Sequence, residues 1–175
     1  MSHPAAALLL LLFLAFALEG CGYRLARYGD AGEEAPRVSV VTLSNDSREA
    51  GVETLVSDAL RREVLNRGGL RLVGDPEGAD YVIRGRVRPL ETRARGFSAA
   101  VLAVEYEVTM ALDLVVDSGS GRAWKMDSET MRASEVYLAS ADVEVGRKNR
   151  DEALRRLSDM LAVRVHDRID SELLQ

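Results

Sequence analysis

From Val104 to Val116 the side chains alternate without interruption. Val104, Tyr106, Val108, Met110, Leu112, Leu114 and Val116 fall on one side, and Glu105, Glu107, Thr109, Ala111, Asp113 and Val115 on the other. Successive side chains of a strand point to opposite faces, so the run predicts an antiparallel strand buried on one side and wet on the other. Asp117-Ser118-Gly119-Ser120-Gly121 follows as a hairpin loop. The chain then returns through Arg122–Ser134, with Trp124, Met126 and Ser128 alternating against Lys125, Asp127 and Glu129. A long one-sided strand requires something to cover its apolar face, and the rest of the chain supplies it.

Two segments have helical spacing. Val52, Leu55, Val56, Ala59, Leu60 and Val64 form one stripe, preceded by the candidate caps Asn45-Asp46-Ser47 and followed by Gly68-Gly69 as a left-handed stop. Leu154, Leu157, Leu161, Val165, Ile169 and Leu173 form the other, with Asn149 as its expected cap and Asp151 and Glu152 in the first turn. Valine-rich Arg37–Ser44 reads as a short buried strand. Gly74-Asp75-Pro76-Glu77-Gly78 is a turn, and Tyr81–Val87 another strand. Residues 135–148 have no clear period. These elements predict an α+β fold in the order β-α-β-β-β-α, two amphipathic helices packed on one face of a mainly antiparallel four-stranded sheet.

The beginning of the chain reads as an address. Ala5 to Leu18 is uncharged and apolar, the length of a secretory signal core and too short to span a bilayer. Leu18-Glu19-Gly20-Cys21 then resembles the lipobox of bacterial lipoproteins, although Glu19 stands where a small uncharged residue is usual and Met1–Pro4 has no Lys or Arg. Cleavage before Cys21 and acylation of that residue are expected, since several acyl chains anchor stably where one does not. By resemblance to the bacterial sorting rule, Gly22 after the cysteine favours the outer membrane. The expected division is a signal peptide at 1–20, an acylated cysteine and flexible tether at 21–36, and a single domain at 37–175.

Cys21 is the only cysteine, which excludes an internal disulfide framework and a multi-cysteine metal site. A net charge of −5 argues against general nucleic-acid binding. No Walker motif, G-x-G-x-x-G, G-x-S-x-G or HExxH occurs, so neither an enzyme nor a metal or cofactor is expected. His166, the one histidine after the signal, reads as a partly exposed helix-flank residue. Glu105 and Glu107 share a strand face at a spacing that suits glycoside hydrolysis. That face is predicted to be solvated, however, and cross-strand pairing with Arg84, Arg86 and Arg88 is the simpler fate.

The remaining candidate is a run of five arginines. Arg84, Arg86 and Arg88 share one face of their strand. Beyond Pro89 the phase flips, so that Arg93 and Arg95 rejoin that face if one residue is inserted. Only Glu91 offsets them locally. Guanidinium forks suit phosphate and carboxylate groups, so these five residues, Arg93 and Arg95 foremost, are the candidate contacts for a phosphorylated or acidic ligand. A solvated strand balanced by nearby acids is the alternative.

Together these features resemble the LptE family of lipopolysaccharide-assembly lipoproteins. The likeness rests on Cys21-Gly22-Tyr23, the valine-rich strand, Asn45 before the helix ETLVSDALRREVLNRGGLRLV, the strand Ala79–Val87 and the charged C-terminal helix. It implies a non-enzymatic outer-membrane lipoprotein, held on the periplasmic side. Its partners would be the transport β-barrel LptD, in which it sits as a plug, and lipopolysaccharide. The family supplies no ligand motif to align position by position. A generic envelope adaptor with another partner is the alternative.

Overall fold

The computed structural model describes residues 32, 34–97 and 103–173. Cys21, the signal segment and most of the tether lie outside them. The strands are β1 (Arg37–Val40), β2 (Ser44–Asn45), β3 (Arg71–Leu72), β4 (Tyr81–Val87), β5 (Glu91–Phe97), β6 (Ala103–Ser118), β7 (Ala123–Met126) and β8 (Arg132–Leu138). Helix α1 spans Val52–Arg67 and α2 spans Val143–Leu173. The α+β class and the two helices are as expected. The sheet has eight strands and is mixed, not four-stranded and antiparallel.

The antiparallel part of the difference comes from the length of β6. At 16 residues it runs about 50 Å, far longer than an average strand, so each flank is filled by two strands laid end to end. β4 pairs antiparallel with its C-terminal half and β5 with its N-terminal half. On the other flank, β7 and β8 divide it in the same way. What reads as one returning strand, Arg122–Ser134, is broken between β7 and β8. The Asp127 carboxylate accepts from the main-chain N–H groups of Glu129 and Thr130 at 3.1 and 3.0 Å, closing a tight turn there. The parallel component comes from β1, which pairs with both β3 and β4, and from β2, which pairs with β4. Parallel neighbours need a crossover, and α1 supplies it between β1 and β3.

The inner face matches its alternation from Val108 on, whereas Val104, at the far end of β6, is 40% exposed and Tyr106 is half-buried. Val108, Met110, Leu112, Leu114 and Val116 are buried, with Ile83 and Val87 of β4 beside them. Val52, Val56, Ala59, Leu60 and Val64 of α1 close over this layer, as do Leu154, Leu157, Leu161, Val165 and Ile169 of α2. Gly85, opposite Leu114, is required by close approach: a Cβ there would sit 2.1 Å from the Asp113 carbonyl oxygen.

Both helices start elsewhere than expected. Asn45 does not cap α1; it lies in β2, and its amide donates to the Glu49 carbonyl and the Glu53 carboxylate at 2.8 and 2.7 Å. The cap position belongs to Gly51, at φ +85°. Helix α2 begins at Val143, six residues before Asn149. The Asp142 carboxylate accepts from the N–H groups of Glu144 and Val145 at 2.8 and 3.2 Å, as an N-cap does. Asn149 instead donates to the Leu138 carbonyl at 3.0 Å. The Gly68-Gly69 stop stands, with both residues at positive φ.

Candidate functional site

The five arginines meet on the uncovered side of the sheet. Arg84 lies opposite Val115 and Arg86 opposite Asp113, residues of the β6 face that points away from the helices. The Arg88 N–H still follows that register, donating to the Ala111 carbonyl at 2.9 Å. Glu91, however, faces Thr109. The chain advances three positions while β6 advances two, so one residue is inserted at Pro89–Leu90, as the phase flip predicted. The insertion returns Arg93 to the same face, opposite Glu107. A second irregularity follows Ala94, and there the Arg95 guanidinium reaches Glu107 at 2.7 Å.

Acids on the same face partly balance the row, but not the ones expected. Arg84, Arg86 and Arg88 do not pair with Glu105 or Glu107, which sit farther along β6. They meet Asp117 at 3.7 Å, Asp113 at 3.1 Å and Asp113 again at 3.6 Å. Arg86 also approaches Asp46 at 3.5 Å. Arg93 meets Glu91 at 3.2 Å and is 74% exposed. Glu91 is shared in turn with Arg132 at 2.9 Å. Asp113 and Glu91 thus each serve two guanidiniums. Since every guanidinium carries five N–H donors, most donors on this face have no partner among the described residues.

Arg132, Asp46, Asp113 and Asp117 were not singled out from the sequence. Periodicity places Asp113 on the outer face, but Asp117 reads as part of the hairpin loop. Arg132 shares the phase of buried Met126 until the break between β7 and β8 reverses it, and Asp46 reaches Arg86 from beyond β2. Glu105 and Glu107 lie on the wet face as predicted. Glu107 faces the Arg95 guanidinium, the opposite of the apolar setting that keeps a catalytic acid protonated. His166 corrects its expectation. It is 2% exposed, and neither ring nitrogen has a hydrogen-bond partner among the described residues. Its Nδ1 lies 3.3 Å from the Asp170 carboxylate. Its neighbours Val165 and Ile169 are core residues, and the stripe turns far enough to bury it too.

Strand β1 starts at the other end of the sheet. Arg37 holds Asp80 there, its guanidinium donating at 2.9 and 3.2 Å and its main-chain N–H at 2.8 Å. The side-chain bonds first, and the main-chain bond second, pull the Asp80 carboxyl down to about 2.

The sequence model of the LptE lipopolysaccharide-assembly family matches residues 35–169, nearly all of the described fold. The chain belongs to the LptE family. No curated protein matches the sequence. Among solved structures, it is similar to rare lipoprotein B from Shewanella oneidensis, at 16% identity and a TM-score of 0.53, covering 79% of this chain and 96% of that one. It is also similar to lipoprotein B from Nitrosomonas europaea, at 13% identity and a TM-score of 0.50, covering 83% and 88%. At such identities the likeness is one of fold. Within this LptE-family domain the outer face of the sheet is a charged surface over which no described element packs. No described helix is long and apolar enough to cross a membrane.

Proposed function

We propose that this LptE-family chain is a non-enzymatic lipoprotein of the outer membrane. Cys21, after removal of residues 1–20, carries the lipid anchor, and residues 21–36 tether the domain on the periplasmic side. Its partner is the transport barrel LptD, in which it sits as a plug and whose assembly and lipopolysaccharide delivery it supports. Arg93 and Arg95, with Arg84, Arg86 and Arg88 behind them, contact the phosphate groups of that glycolipid.

The observation that carries this reading is the single row of five arginines, whose carboxylates are shared and most of whose guanidinium donors have no partner among the described residues. Planar forks bind phosphate oxygens two at a time. Geometry along the sheet adds support. The tether enters at Arg37, on the end where Tyr81 pairs with Ser118, whereas Arg93 lies opposite Glu107. Strands rise about 3.3 Å per residue, which puts Arg93 about 33 Å along β6 from the Asp117 level. An anchor in one leaflet thus leaves the foremost arginines directed away from it.

The test is a crosslinking pull-down of the acylated protein from outer membranes, together with lipopolysaccharide binding by the Arg93→Ala/Arg95→Ala double variant. Recovery of the barrel, and a binding loss that shrinks as salt rises, are expected. Unchanged barrel assembly and surface lipopolysaccharide after depletion would remove the role. Equal binding by variant and wild type would remove the site alone.

A further inference from the structure

The two free edges beside the N-terminal half of β6 are treated differently. Even-numbered residues of β6 exchange main-chain bonds with the β8 side: Leu112 N–H donates to Met131, and Val104 accepts from Ala139, both at 2.9 Å. Odd-numbered residues bond the other side, as Arg88 does to Ala111 at 2.9 Å. In an antiparallel ladder the alternate groups then point outward. On β8 these belong to Arg132, Ser134, Val136 and Leu138, and on β5 to Thr92 and Ala94.

Helix α2 engages the β8 edge at both ends. Arg164 donates to the Arg132 carbonyl, and Asn149 to the Leu138 carbonyl at 3.0 Å. On β5, α2 meets only a side chain, where Arg150 donates to the Thr92 hydroxyl at 3.3 Å. The outward main-chain groups of Thr92 and Ala94 have no partner among the described residues, and every side chain from Glu91 to Arg95 is exposed.

We infer that the edge from Glu91 to Ala94 accepts an added β-strand, an extended acidic segment of the barrel partner; this rests on the function proposed above. Main-chain bonds to Thr92 and Ala94 supply affinity, and side chains at alternate positions supply selectivity, as in other cases of strand addition. The segment comes from a loop or terminus of the partner, because a closed barrel wall has no free edge of its own. Charge selects the occupant. A second copy of this chain, pairing antiparallel about Arg93, would set Arg93 against Arg93. Glu91 and Arg95 would meet in that register, but Arg132 and Glu107 already engage them. An acid opposite Arg93 replaces that repulsion with an attractive pair. The inserted residue at Pro89–Leu90 and the irregularity after Ala94 limit the added strand to a short one.

Ala94→Pro removes one outward N–H while leaving the bonds to β6 intact, and Ala94→Val keeps that N–H. Binding of the full acylated chain to the detergent-solubilised barrel is the readout. The proline variant is expected to bind about tenfold or more weakly, the loss of one to two edge hydrogen bonds, and the valine variant within about twofold of wild type. If the proline variant does not fold, Arg93→Glu must weaken binding while Arg93→Lys largely preserves it. Equal binding by all variants overturns the inference and leaves the proposed function standing. Failure of the wild-type chain to bind the barrel removes both. A dimer of the isolated chain that Ala94→Pro dissociates gives the edge to a second copy and also overturns the inference.

Discussion

Arg150 of α2 donates to the Glu49 carboxylate from Nε at 3.0 Å and Nη2 at 2.8 Å, across 101 positions of sequence. The same guanidinium donates through Nη1 to the Tyr137 hydroxyl at 3.0 Å and the Thr92 hydroxyl at 3.3 Å, and its carbon lies 5.8 Å from the Tyr137 ring centre. One half-buried side chain therefore joins the helix layer to the loop before α1 and to both strands flanking β6. With the Asn149–Leu138 and Arg164–Arg132 bonds, it fastens α2 to the end of the sheet that carries Arg93.

Arg150→Ala is expected to destabilise the domain by about 1–3 kcal/mol, because Glu49 and Tyr137 are left without their donor. Arg150→Lys should recover little, since an ammonium cannot reproduce a planar fork directed at three partners. Urea denaturation of the three proteins decides it. A loss below about 0.5 kcal/mol in Arg150→Ala would place this contact among ordinary surface pairs.

Gly85→Ala should be among the most damaging single substitutions. The added carbon meets main-chain oxygen at 2.1 Å, and a strand backbone yields less easily than a side-chain tip. The cost is expected at or above the upper end of the ~1–3 kcal/mol seen for overpacked sites. Thermal melting followed by circular dichroism would show it, and a midpoint equal to wild type would contradict the close approach of β4 and β6.

The start of α2 separates two residues that the sequence does not distinguish. Asp142→Ala removes the cap and should cost about 1 kcal/mol. It should also fray the first turn, seen as faster amide exchange at Glu144 and Val145. Asn149→Ala breaks only the bond to Leu138 and should leave those amides protected.

Acid stability provides a fourth test. The Asp80 carboxyl lies at about 2 in the folded chain and at about 3.9 when unfolded. A carboxyl lowered by folding contributes stability that is fully present above its unfolded value and is lost as pH falls through the folded one. The Arg37–Asp80 contribution is therefore complete above about pH 4 and disappears toward pH 2. Asp80→Asn should flatten the pH dependence of stability in that window. An unchanged acid-unfolding profile would show that the pair is not linked to folding.

Exposed pairs should behave differently. Arg93→Ala and Arg95→Ala, singly or together, are expected to change stability by no more than about 1 kcal/mol, the range of surface ion pairs. Any loss of ligand binding in these variants then reports the site and not the fold, and chemical denaturation checks that premise. A collapse of stability would instead assign the row a structural role.

Local pattern carried much of this architecture. Strict alternation over Val104–Val116 identifies β6 and its buried face, because a two-residue period is a property of one strand alone. The apolar stripes of α1 and α2, and the phase flip at Pro89 that returns Arg93 to the side of Arg84, are legible for the same reason. Whatever depends on two distant segments was not. Four strands became eight because β6 is long enough for two partners on each flank and because the short β2 and β3 add to β4 and β1, and no single-strand pattern states how many neighbours a strand has. The helix starts were misplaced because Asn45 and Asn149 bond across elements, to Glu53 and to Leu138. His166 reads as a flank residue from its helix alone, yet in the packed fold it is buried.

The sequence by itself determined which residues face inward, where the arginines are concentrated and to which family the chain is similar, because periodicity and composition act within a few residues. Tertiary structure alone decided the mixed sheet, the sharing of Asp113 and Glu91 between guanidiniums, the clamp at Arg150 and the open edge at β5. Each of these is a distance between segments far apart in the chain, set by register and packing rather than by local preference.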